Sequence, residues 1–147
     1  MKSIQIHSCF ASVGGSYCLV MISDDGTLLP IMLDNDTGKL VETYISGDFD
    51  DKVIDYGCSS SILYQIDMTP VFVEVEYNED EHAYQACLCT YQKNEIQRKF
   101  YRISLPFSLA ITYGICERLS FVTDEMLLIE RGKYSMEDID SYINNGE

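Results

Sequence analysis

The 147-residue sequence predicts an α/β (α+β) fold, a single compact domain with a mixed, mostly antiparallel sheet and helices packed on it. Three observations predict it. Several short runs alternate apolar and polar residues between turn signals, as half-buried strands do. Two stretches, 36–46 and 136–144, place apolar residues at helical spacing behind capping residues. Between them, residues 103–116 carry no charged side chain in a chain with 24 acidic and 10 basic residues, which suits a helix covered on several sides.

Taken in order, residues 3–10 alternate around Ile4 and Ile6, Gly14-Gly15 makes a turn, and 17–23 forms a second strand. Asp24-Asp25-Gly26 is a hairpin signal leading into a third strand at 27–33. The helix over 36–46 sets Leu40, Val41, Tyr44 and Ile45 on one face, and Gly47 suits its stop. A second helical stretch over 49–66 is acidic at its start (Asp48, Asp50, Asp51), and the run 58–61 weakens it. Strands follow at 71–77, 83–91 and 95–103, joined by the acidic loop Asn78-Glu79-Asp80-Glu81 and the turn Gln92-Lys93-Asn94.

Ser104 is placed to cap the charge-free helix and Pro106 to set its first turn. Phe107, Leu109, Ala110, Ile111, Tyr113, Ile115 and Cys116 wrap nearly all round it. A short strand at 119–122 ends at Thr123, read as the N-cap of an acidic helical turn over 124–130. Beyond Gly132, Ser135 caps a last amphipathic helix that docks through Met136, Ile139, Tyr142 and Ile143. The organisation expected is a domain over 1–131 with a C-terminal helix, 132–147, packed on it.

Composition bounds the function. At 46% hydrophobic residues the chain can build a real core and is not disordered by its charge. No run approaches the ~20 apolar residues of a membrane span, and no apolar leader follows Lys2. A cytoplasmic protein without a membrane partner is expected. The cysteines Cys9, Cys18, Cys58, Cys87, Cys89 and Cys116 form no C-x-x-C pair, and His7 and His82 stand apart, so zinc-site spacing is absent. Reduced, mostly buried thiols are expected, with Cys87 and Cys89 sharing a strand face; the first hairpin leaves room for Cys9 and Cys18 to oppose each other without requiring it. The formal charge of −14 argues against nucleic acid, whose phosphates are held mainly by Lys and Arg, unless metal ions mediate the contact.

Two segments resemble a known family. The order from Leu105 to Glu125, with Pro106 opening an apolar helix and a short strand ending in Val before an acidic helix start, is similar to the C-terminal half of the bifunctional nuclease (BFN) domain family. That family's Arg-Pro-Ser-Asp-Ala segment falls on Leu105, Pro106, Phe107, Ser108 and Leu109, so only the proline is kept. Residues 29–47 resemble a second family segment through Leu29, Pro30, Ile31, Leu33 and Gly47. The resemblance covers residues 1 to about 130. It implies metal-dependent phosphodiester cleavage of DNA or RNA, with carboxylates holding Mg²⁺ or Mn²⁺, and a homodimer.

Three candidate sites follow. Asp34-Asn35-Asp36, at a strand-to-helix junction, offers oxygen ligands to a hard cation, with Asp34 and Asp36 as metal ligands and catalytic acids; helix capping is the simpler role. Lys93, Arg98, Lys99 and Arg102 hold four of the ten cations within ten residues, and Arg98 and Arg102 share a strand face suited to phosphate; a charge-blunted edge strand explains them as well. Ser108 stands where the family has Asp, with Ser104 and Thr112 nearby, but no G-x-S-x-G surrounds it. Two functions are expected in competition: a nuclease of this type, or a non-catalytic homodimeric interaction protein that kept the scaffold and lost the hydrolytic site.

Overall fold

The computed structural model describes residues 1–12, 14–47, 63, 65–93 and 98–145. Among them are seven strands and four helices, an α+β architecture of open, mixed, mostly antiparallel sheet with helices packed on it. The strands are β1 (Lys2–Ala11), β2 (Tyr17–Ser23), β3 (Leu28–Leu33), β4 (Met68–Asn78), β5 (Ala83–Lys93), β6 (Arg98–Leu105) and β7 (Ser120–Thr123). The helices are α1 (Asn35–Ser46), α2 (Phe107–Cys116), α3 (Glu125–Arg131) and α4 (Met136–Asn145). Contacts divide the chain into two compact units, Met1–Phe49 with Thr123–Glu147, and Asp50–Val122. Most of the second helical stretch expected over 49–66, with Cys58, lies outside the described residues, as do 94–97 and Gly146.

In the first unit the strands run in the order β3-β2-β1. β2 is central and buried along nearly its whole length. Gly26, at φ 89°, turns the chain between β2 and β3, and Asp25 accepts hydrogen bonds from the Ser23 hydroxyl and from Thr27 N–H at 3.1 Å. α1 packs on β1 and β2. A Cβ at Gly38 would strike the Tyr17 ring, so only glycine admits this approach. α4 takes the opposite face of β2: Tyr17 meets α1, whereas Cys18 and Val20 lie in a core cluster with Leu28 and Ile139. Ile139 is wholly buried there, with Met136 and Ile143 packed beside it.

The second unit has the strand order β7-β4-β5-β6. A bulge between Pro70 and Phe72 breaks the β4–β5 ladder, a position that tolerates a residue without an N–H. Val73, Val75, Ala86 and Leu88 form a buried face, and α2 packs on β4 and β5, its Gly114 against Val73 and Phe121. Asn78 Oδ1 accepts from Asp80 and Glu81 N–H at 2.9 and 3.1 Å, which organises the acidic hairpin loop.

Three expectations change. Ser104 does not cap α2 but lies in β6, and Pro106 takes the N-cap position without a side-chain hydrogen bond. Steric clash with the proline ring keeps Leu105 extended, which carries the strand past Ser104. Leu109 is an exposed position of α2, not part of its buried surround. Thr123 is buried within β7, and Asp124 caps α3 instead, accepting from Met126 N–H at 2.8 Å. Cys9 pairs in register with Leu19 and Cys18 with Phe10; both are free thiols.

Candidate functional site

Asp34 ends β3's connection and starts α1. Its backbone is extended, and its Oδ1 accepts from Thr37 N–H at 2.7 Å, the bond that satisfies an otherwise unpaired amide of a helix's first turn. Asp36 sits exposed in that first turn. Both carboxylates oppose the positive end of the helix dipole, which attracts anions and repels cations. An oxygen that Asp34 would offer to Mg²⁺ or Mn²⁺ is thus already engaged, and the local field works against the ion. Among the described residues, no group of three or more His, Cys, Asp and Glu side chains is arranged to hold a metal.

The second unit assembles a polar cluster on the sheet face opposite α2. Register sets Glu74 beside Cys87 and Cys87 beside Ser104, with Cys89 beside Arg102. Arg102 Nη2 lies 2.5 Å from Glu74 Oε2 and also pairs with Glu76. The same nitrogen is 3.7 Å from Cys87 Sγ, and that sulfur is 3.9 Å from Ser104 Oγ. Glu74 is buried while Arg102 is largely exposed, so the guanidinium lies over the acid like a lid. The Cys87 contact, then Glu74 and Glu76, raise the Arg102 pKa above its ordinary value. Burial, reinforced by Glu74, raises that of the Cys89 thiol. An incoming phosphate would compete with two carboxylates for the charge of Arg102. The Arg98 side chain lies outside the described residues.

Ser108 occupies the first turn of α2, half-buried, and its carbonyl accepts from the Thr112 hydroxyl at 2.7 Å. His7 is exposed on β1 with Nδ1 3.0 Å from Ser8 Oγ, and His82 is exposed in the β4–β5 turn at φ 51°. The sequence-expected residues therefore fall into two groups: Asp34 and Asp36 in the first unit, Ser108 and Arg102 in the second. Glu74 and Glu76 were not singled out from the sequence. Their alternation with Val73 and Val75 is the signal that was there, since it puts both acids on one strand face. Compared with protein-family models and with curated proteins, the chain matches none.

Proposed function

We propose that this chain is a non-catalytic interaction protein, working as a homodimer, on a scaffold of the bifunctional-nuclease type. One observation carries the reading: two of the charged residues expected to perform hydrolysis, Asp34 and Arg102, already serve the fold. Asp34 caps α1 and Arg102 pairs with Glu74 and Glu76. A side chain holding such a bond loses it on turning to a ligand, and a buried acid left without its cation is costly.

The scaffold part of the proposal is supported by the order of the described elements: three strands, a helix, three more strands, a helix, a short strand and two helices. Leu29, Pro30 and Ile31 are buried in β3, Gly47 closes α1 in a left-handed conformation, and Pro106 begins α2. Leu105, Phe107 and Ser108 put two apolar side chains and a hydroxyl where the resembling family carries Arg, Ser and Asp, and a fold does not transmit an activity without its site. A charge of −14 adds repulsion of nucleic acid at moderate salt.

Calorimetric titration with Mg²⁺ and then Mn²⁺ tests this, on the wild type and on Asp36→Asn, which leaves the Asp34 cap in place. Cleavage of single- and double-stranded DNA and RNA is assayed in parallel, and sedimentation reads the oligomeric state. No stoichiometric heat and no cleavage, with a dimer in solution, is the expected result. Metal binding and cleavage that both vanish in Asp36→Asn would restore the nuclease.

A further inference from the structure

The fold treats the outer strands of its two units differently. β3, outermost in the first, is closed along its start: Leu28 N–H donates to Lys133 O at 2.8 Å, Lys133 N–H donates back to Leu28 O at 2.6 Å, and α3 packs against the strand. β6, outermost in the second, pairs with β5 on one side, and among the described residues no strand pairs with its other side. Such an edge leaves about half of its backbone N–H and C=O groups outside the ladder, a template for another chain.

Exposed edges are normally blunted by bulges, prolines, short length or charge. β6 runs in unbroken register against β5 from Lys93↔Arg98 to Ala86↔Leu105 and contains no proline. Its middle presents Phe100 at 74% exposure and Tyr101 at 38%, and the Phe100 ring is braced by Tyr91 at 5.4 Å between centroids. The charges on the strand are all positive, with Lys99 exposed, in a chain of net charge −14. Arg102 is already paired with Glu74 and Glu76, which leaves Lys99, among the strand's described side chains, as the cation turned outward beside the aromatic pair.

We propose that β6 is a docking edge for an extended acidic segment of a partner protein, which adds a strand to the second unit's sheet. The proposal deepens the interaction reading above and rests on it. Backbone hydrogen bonds supply affinity in this mode, and alternate side chains supply specificity. Alternation puts Lys99 and Tyr101 on one face and Phe100 on the other, so the fitting segment sets carboxylates toward Lys99 and apolar groups toward Phe100. A second copy of β6 would instead bring basic strand against basic strand and double the positive charge along the join.

Fluorescence anisotropy provides the test, with a labelled synthetic peptide alternating Glu and Val and a counterpart in which Lys replaces Glu. Wild type should bind the acidic peptide at least about tenfold more tightly than the basic one. Lys99→Glu should abolish that preference, and Phe100→Ser should weaken binding; circular dichroism verifies that both exposed-site variants stay folded. No binding, equal binding of the two peptides, or binding indifferent to both substitutions would overturn the proposal. A wild-type dimer that dissociates in both variants would assign the edge to a second copy and overturn it as well. Failure of the peptides without nucleic-acid cleavage sinks this inference alone, whereas metal-dependent cleavage sinks the interaction reading whatever the peptides do.

Discussion

Arg102 is the residue whose meaning depends most on its surroundings. Its charge and strand face are evident from the sequence, but its partners, Glu74 and Glu76, lie two strands away and meet it only through the registers of β4, β5 and β6. Arg102→Ala should cost about 1–3 kcal/mol in urea unfolding, because buried Glu74 loses its ion pair while the exposed guanidinium itself gained little. Glu74→Gln combined with Arg102→Ala should lose less than the sum of the single changes; strict additivity would mean that the pair does not interact. The thiols behave as desolvated groups. Burial, then Glu42 and Cys18, push Cys9 up to about 12, and burial, opposed by a bond at Ile31 and reinforced by Asp140, pushes Cys18 up to about 11, against an ordinary 9.0. Raised folded values mean that the unfolded chain releases these protons first as pH rises. Their stabilising contribution is complete below pH 9.0 and declines toward pH 11 and 12 as the folded values are reached. Denaturant midpoints measured across that window should fall more steeply for wild type than for Cys9→Ala/Cys18→Ala; parallel profiles would contradict this.

Among the elements, α4 makes the clearest case. Its amphipathic pattern was legible, and the structure supplies what the pattern could not: the surface it covers. Ile139 is buried in the cluster with Cys18, Val20 and Leu28, so the helix seals the first unit's core through its apolar face. Ile139→Ala should therefore cost about 2–5 kcal/mol, read as a lowered urea midpoint, and removing residues 132–147 should yield insoluble protein. A near-neutral Ile139→Ala would show that α4 is merely adjacent. Strand β2 was readable to the residue because turn chemistry bounds it on both sides. Helix starts were not, where two capping residues stood side by side. At 123–124, backbone pairing takes Thr123 into β7 and leaves Asp124 to cap. At 104–106, the restriction that Pro106 places on Leu105 moves the start of α2 past Ser104.

For the molecule as a whole, net charge is the dominant long-range quantity. At −14 the folded chain repels itself, and salt screens that repulsion. Raising NaCl from about 0.01 M to about 0.5 M should raise the Tm, because the Debye length shrinks from ~30 Å to a few Å. Unchanged or lowered Tm would mean that the pairing of Arg102 with Glu74 and Glu76 outweighs the general repulsion. The α+β class, the order of nearly every described element and the hydrophobic faces were legible in the sequence, because periodicity, turn residues and the charge-free run act locally along the chain. The folded structure supplied which acids meet Arg102, and which face of β2 receives α1 and which α4. Those outcomes depend on strand register and on the order of strands across a sheet, which bring together residues far apart in sequence and leave no periodic trace in it.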